Sequence, residues 1–571
     1  MSRMFSTHKV RKQRELSGCL WDFTPKQSEG ENKSQKVYVP GCWEMLPGFG
    51  NYRGEALYSR TFEAGGNIRL EFKGVSHSAK VFLDGELIGS HYGAYTPFEI
   101  VLSGLETKTH NLDVWVDNSF GEHSALHIPN DYMTYGGISR PVVAEELGCA
   151  YIKWANYTTF REDGKWFCKA SVCIKKVEAV CGNLYAAIEW NGQTITVGDC
   201  QMETDDEVVL EKVFEAGNVE PWMPEHPNLY FVTAYLFENQ SLIDDLIDRI
   251  GFREIRIEKR NIFINGKSIR IKGVCRHEDQ AGFGCALPVA SMQRDIRMML
   301  DLGVNSVRTT HYPNDERFLD LCDEQGILVW EENHARALSE ENMRNPYFEE
   351  QCESCNREMV RNHFNHPCIF IWGILNECAS ETEYGRQCYQ KQLDQIRSMD
   401  DSRPLTFASC RFKQDSNGKN LEITDICMDL PDIVSYNMYP QWYFDVSVSE
   451  FLQEFHDCID RGAGSGKPMI VSEIGAGAEY GFHSPEHLKW SEEYQADALA
   501  QQVKGVLEDP LCCGLYIWQF SDVRVSTEWF AKRPRSHNNK GILDEYRRPK
   551  MSYETVKRIF ESYGNYFETD I

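Results

Sequence analysis

Residues 368–377 read CIFIWGILNE. The run Ile369, Phe370, Ile371, Trp372 has the length and the β-branched and aromatic content of a buried strand, and it ends abruptly at Asn376 and Glu377. A carboxylate therefore stands at a strand exit. Further along, KPMIVSEIG (467–475) repeats the pattern: Met469, Ile470 and Val471 lead into Ser472 and Glu473. In a parallel barrel all strands point the same way, so two such carboxylates meet over one mouth, where the βα loops form the active site.

Outward from this stretch, everything past Arg256 alternates buried-type strands with helical segments, the pattern of a parallel α/β arrangement. Eight strand candidates fall at 269–274, 306–308, 327–330, 369–374, 405–408, 433–436, 469–472 and 515–520, the number a (β/α)8 TIM barrel requires. Glu377 then leaves the fourth strand and Glu473 the seventh. Between strands, 291–302 sets Met292, Ile296, Met299 and Leu300 at helical spacing. Upstream the period is two. Ile68, Leu70 and Phe72, then Val81 and Leu83 before an Asp84-Gly85 turn, then Leu112, Val114 and Val116, indicate an antiparallel jelly roll over 1–148. A second set, with 184–190 and 194–197 around Asn191-Gly192 and alternation at Phe231, Thr233, Tyr235 and Phe237, fits an immunoglobulin-like β-sandwich over 149–255. The barrel takes 256–571. No solenoid repeat or low-complexity linker interrupts the series.

The chain of 571 residues is 42% hydrophobic, enough for several cores. Lys+Arg 60 against Asp+Glu 86 gives a net charge of −26, which repels phosphate backbones and anionic lipid surfaces, and the only basic run is Lys9-Val10-Arg11-Lys12. That run lacks the apolar segment of a secretory signal, and no stretch of about eighteen apolar residues follows. A soluble cytoplasmic protein with no nucleic-acid or membrane partner is expected. The 20 cysteines are scattered and read as reduced thiols. Cys352-x-x-Cys355 and His363-x-x-His366 have metal-like spacing, but neither has a partner pair nearby and both read as structural. No metal and no cofactor is expected.

Polar groups also crowd the other strand exits: 276–279 (RHED), Arg308 and His311, 331–333 (EEN), Asn437 and Tyr439, and Trp518. Singly, each reads as a cap or an ion-pair partner. Jointly, a mouth of carboxylates, amides and aromatics suits sugar chemistry, with rings covering apolar sugar faces and charges holding hydroxyls. Two carboxylates suffice for glycoside hydrolysis, one giving a proton to the leaving oxygen and the other attacking or activating water.

On GVCRHED (273–279), NSVRTTHYP (305–313), WGILNE (372–377), SYNMY (435–439) and SEIGAGAEYGFHS (472–484), the chain resembles glycoside hydrolase family 2, and within it the β-glucuronidases, over essentially its whole length. The resemblance implies a jelly roll, an immunoglobulin-like sandwich and a TIM barrel, retention through a covalent intermediate, Glu377 as acid/base and Glu473 as nucleophile. A like charge nearby would keep the proton on Glu377 while Glu473 is anionic. Asn376 would meet the sugar 2-hydroxyl and Tyr439 would orient Glu473. Asn538-x-Lys540, in RPRSHNNKG (533–541), would grip a sugar carboxylate, although 538–541 taken alone is a good turn sequence. His311 and Asn437 belong with the substrate-binding groups, Asp131 resembles the residue by which the jelly roll reaches the sugar, and Tyr443 and Trp518 match pocket aromatics. WEENHARALSEEN (330–342) is shorter than in relatives with a long loop there, and it supplies Arg336. That arginine looks like one in enzymes preferring galacturonides, or else it pairs with Glu340 or Glu341. The expectation is an exo-acting retaining β-uronidase on a small-molecule or glycan uronide, glucuronide first and galacturonide or both second, with a homo-oligomer suggested by resemblance. A β-galactosidase or a sugar-binding protein without activity are the alternatives.

Overall fold

The computed structural model describes residues 2–26, 33–178, 182–202, 206–414 and 420–568. Eight parallel strands close a barrel: Ile271–Arg276, Ser306–Thr309, Leu328–Glu332, Ile369–Ile374, Leu405–Ser409, Val434–Asn437, Met469–Ile474 and Cys512–Ile517. Every residue in them is buried, sheathed by helices outside and side-chain layers inside, which is why they are rich in β-branched and aromatic residues, with the charged ones toward the C-terminal ends. Seven strands lie within a few residues of their expected places. The eighth opens at Cys512 and closes at Ile517, earlier than 515–520. Trp518 makes the last backbone bond to Ile474, and then Gln519 N–H turns away to the Lys540 carbonyl at 2.9 Å. That departure draws the 538–540 segment to the mouth.

The helix expected at 291–302 spans Val289–Asp301, burying Met292, Ile296 and Met299 while Leu300 stays on its outer flank. In the N-terminal β-sheet the strand Glu55–Phe72 runs antiparallel to Phe98–Asp117. Its alternating Ile68, Leu70, Phe72, Leu112, Val114 and Val116 all point into one core with Trp21, Trp43 and Tyr58. The next unit faces a three-stranded sheet (Ala150–Glu162, Lys165–Lys176, Glu207–Glu215) against a four-stranded one (Gln193–Cys200, Leu184–Trp190, Tyr230–Glu238, Ser241–Ile250). In Tyr230–Glu238 the core-facing row is Val232, Ala234 and Leu236, and Phe231 stands outside against the Phe5 ring.

The N-terminal residues lace these units together. The Arg11 guanidinium, buried, pairs with Asp244 at 2.7 Å and Glu145 at 2.9 Å and donates to the Ile152 carbonyl. Arg3 reaches Asp320 on a barrel helix at 2.7 Å. Closer to the mouth, Arg140 pairs with Glu278 and donates to the Pro313 carbonyl, and Tyr135 Oη donates to Asp279, so the 130–140 segment is pinned beside the first and second strand exits. No helix is long and apolar enough to cross a membrane. Breaking a buried ion pair strands the remaining charge. Arg11→Ala should therefore lower stability by about 3–5 kcal/mol, read as a fall in the denaturant midpoint; an unchanged midpoint would contradict this account of the junction.

Candidate active site

The fourth strand ends in a backbone that few side chains adopt. Leu375 and Glu377 have φ of 45° and 54°, in the left-handed region. The surroundings hold them there: Leu375 N–H donates to Asn333 Oδ1, Tyr389 Oη to the Leu375 carbonyl, Glu377 N–H to the Ala408 carbonyl, and Arg411 to the Glu377 carbonyl. The Glu377 carboxylate accepts from Asn437 Nδ2 at 2.9 Å and lies 3.6 Å from Arg336 Nη2.

Glu473 sits deeper, 3% exposed. Its Oε1 accepts from Arg308 Nη1 at 3.0 Å and its Oε2 from Tyr439 Oη at 2.7 Å. Arg308 binds three side chains at once, Glu332 through Nε and Nη2 (2.9 and 3.0 Å), Glu473, and Asn376 Oδ1 at 2.8 Å, and its Nη1 also donates to the Ser472 carbonyl. Asn376 and Asn437 link the two glutamates. Asn437 Nδ2 reaches both Glu377 and Asn376, its Oδ1 accepts from Ser472, and Asn376 Nδ2 is buried with no hydrogen-bond partner. His311 donates or accepts at Nδ1 with Glu332 (2.7 Å), lies flat on Trp518, and turns Nε2 toward Glu473 at 3.9 Å. Burial and the nearby Arg308 and Arg336 push its pKa well down, so the ring is neutral.

A second cluster arrives from the jelly roll. Asp131 Oδ2 accepts from Arg533 Nη2 (2.9 Å) and Asn538 Nδ2 (3.0 Å), and Oδ1 lies 3.1 Å from Arg336 Nη1. Burial works against its ionisation, but Arg336, Arg533 and Lys540 together hold it well below the usual carboxylate range. Arg336 also donates to Asn130 Oδ1 at 2.7 Å, while Glu340 pairs with Arg344 instead. The helical pairing of Arg336 with Glu340 or Glu341 is thus replaced by a place in the mouth. Lys540 is buried, its ammonium ringed by Tyr439, Trp442 and Tyr443 at 5.4–5.7 Å, with no carboxylate in ion-pair reach among the described residues. Asn538 is brought in, but one of its amide hydrogens is committed to Asp131.

All the residues expected from sequence converge here, though Trp518 backs His311 at 3% exposure and Tyr443 stands at the rim at 57%. Asn130, Trp442 and Arg533 were not expected, and Arg308 and Glu332 were noticed without a role. Arg308 and Glu332 lie at strand exits and Arg533 opens the RPRSHNNKG stretch, so those three had a signal; Asn130 had none beyond its neighbour Asp131.

Burial, then the nearby Glu377 charge, push the Glu473 carboxyl up to about 8, against the pull of Arg308, the Tyr439 hydrogen bond and Arg336. The upward shift thus falls on Glu473, the deeper of the two, where the like-charge argument had placed the proton on Glu377.

A parallel barrel whose mouth joins two carboxyls to amides and aromatic rings has the parts a glycosidase needs. The chain belongs to glycoside hydrolase family 2: the model described as "Glycosyl hydrolases family 2, TIM barrel domain" matches residues 255–564, and "Glycosyl hydrolases family 2" matches 164–253. It is 54% identical to a GH2 β-galacturonidase from Eisenbergiella tayi, whose glycerol-bound structure covers 100% of both chains with a TM-score of 0.93. The structure of that enzyme bound to galacturonate superposes with a TM-score of 0.92 over 99% of this chain and 100% of that one. A β-glucuronidase of Streptococcus agalactiae serotype V is 25% identical over 90% of each chain.

A carboxyl whose folded pKa exceeds its unfolded value costs stability once the pH rises past the unfolded value, and in full above the folded one. Glu473→Gln should therefore be more stable than the parent above pH 8 by about 1–3 kcal/mol, the advantage fading below pH ~4. Denaturation midpoints across pH check this, and a less stable variant at high pH would contradict it.

Proposed function

We propose that the chain is an exo-acting retaining β-uronidase that uses Glu473 as nucleophile and Glu377 as acid/base, with β-galacturonides as its preferred substrates. The observation that carries the uronide reading is Lys540: a buried ammonium at the mouth, held among rings, with no carboxylate in ion-pair reach among the described residues, which suits it to an anionic sugar. Arg336 adds a second cation next to Glu377. Its place in the mouth, together with the 54% identity to a β-galacturonidase, favours the galacturonide over the glucuronide that stood first on sequence grounds.

In the first half-reaction a Glu473 oxygen bonds to the anomeric carbon as the glycosidic C–O bond breaks, and Glu377 gives its proton to the departing oxygen. Positive charge developing on the sugar favours the Glu473 anion. Arg308 and Tyr439 aim Glu473, and the free Asn376 Nδ2 is placed for the 2-hydroxyl. In the second half-reaction Glu377 takes a proton from water, whose oxygen displaces Glu473.

Initial rates on a β-galacturonide, a β-glucuronide and a β-galactoside with the same chromogenic aglycone test this reading. The galacturonide should turn over fastest. Lys540→Met should cut kcat/KM for both uronides by about 10–100-fold, the loss of a charge-assisted contact. Arg336→Ala should lower the galacturonide-to-glucuronide ratio by about tenfold or more. Turnover of the galactoside alone would refute the uronide reading, and binding of uronides without turnover of any substrate would refute the enzymatic one.

A further inference from the structure

At the end of the barrel opposite the mouth, three donor atoms from three elements meet. His456 comes from the helix Val448–Arg461, Asp509 from the turn after the helix Glu492–Leu507, and Cys512 opens the eighth barrel strand. His456 Nε2 lies 3.0 Å from Asp509 Oδ2 and 3.8 Å from Cys512 Sγ, and the three atoms all fall within 4.8 Å of one another. The histidine and cysteine are buried, and the Asp509 side chain, 14% exposed, opens the cluster to solvent.

This is not the arrangement of a nucleophile relay. There the acid and the nucleophile sit on opposite ring nitrogens; here the carboxylate and the sulfur share one. A single Nε2 proton serves only one of them, whereas a cation among the three serves all. Asp509 Oδ1 is taken by the Leu511 N–H, which leaves Oδ2 for the shared centre. His456 Nδ1 is buried with no hydrogen-bond partner, so moving the ring proton there displaces no existing bond. Ligand edges around a tetrahedral zinc are roughly 3.3–3.6 Å, given its bond lengths to N, O and S. The donors need only small shifts to reach them.

Two other His-containing clusters differ at the sulfur or in charge. Around Asp323, His366 and Cys368 the carboxylate and ring are engaged in the same way, but the sulfur faces the Leu319 carbonyl. At His8, Asp244 and Asp245 the oxygens are filled by the N–H groups of Lys9, Val10 and Arg11 and by the Arg11 guanidinium, whose charge repels a cation.

We propose that His456, Asp509 and Cys512 form a structural site for a zinc-type divalent cation, its fourth position open to water. On loading, the Cys512 thiol releases its proton to solvent and the imidazole proton moves to Nδ1. One carboxylate, one thiolate and a neutral ring then balance the dipositive ion, which ties a helix to the strand that carries Trp518 at its far end.

The test uses chelator-treated full-length protein titrated with Co²⁺. The expected result is one equivalent bound with a thiolate-to-cobalt charge-transfer band and intense tetrahedral visible bands, bleached by Zn²⁺. Cys512→Ser should lose the charge-transfer band. His456→Asn should bind Zn²⁺ at least about 10–100-fold more weakly, the cost of disturbing even an indirect partner of a metal. Glycosidase turnover should be unchanged in both, because neither residue reaches the mouth. Absence of the thiolate band from the unsubstituted protein, which requires no variant to fold, would overturn the proposal, as would a band that survives Cys512→Ser.

Discussion

The mouth of this barrel depends on the Arg308 guanidinium. It lies fully buried at the second strand exit, stacked over Trp330, and its fork holds Glu332, Glu473 and Asn376 together. Two of those partners are carboxylates that burial alone pushes toward the neutral form. Without the cation, both would lose the chief pull against the cost of desolvation, and Asn376 would lose the closer of the two contacts on its oxygen. The planar fork matters as much as the charge, since a lysine at this place could not serve three directions in one plane.

Around this hub Arg308, Arg336, Arg533 and Lys540 face Glu332, Asp131, Glu377 and Glu473. Burial pushes Glu473 toward its neutral form, which tips the balance of the mouth toward positive charge. Among the described residues Lys540 has no carboxylate in ion-pair reach, and a uronate supplies that anion where a neutral sugar does not.

Much of this was legible from local sequence. Buried parallel strands are rich in apolar residues, so Glu377 just past the fourth strand and Glu473, which the structure places inside the seventh (Met469–Ile474), stood out as the carboxylates at the ends of two such runs. The eighth strand was displaced because the aromatic content of 515–520 outweighed Cys512 and Cys513, and only the backbone turn toward Lys540 shows where the ladder stops. Pairings across units were not legible. Asp131 and Arg336 meet because Arg140 and Tyr135 pin the jelly-roll segment over the barrel, and no periodicity encodes that contact.

The central claim is that Glu473 forms the covalent bond to the sugar. It is tested most directly by inactivating the enzyme with a mechanism-based uronide carrying an activated leaving group and mapping the modified peptide by mass spectrometry. The account predicts one sugar per chain, attached to Glu473. A label on Glu377, or steady turnover in which no covalent adduct ever forms, would contradict it.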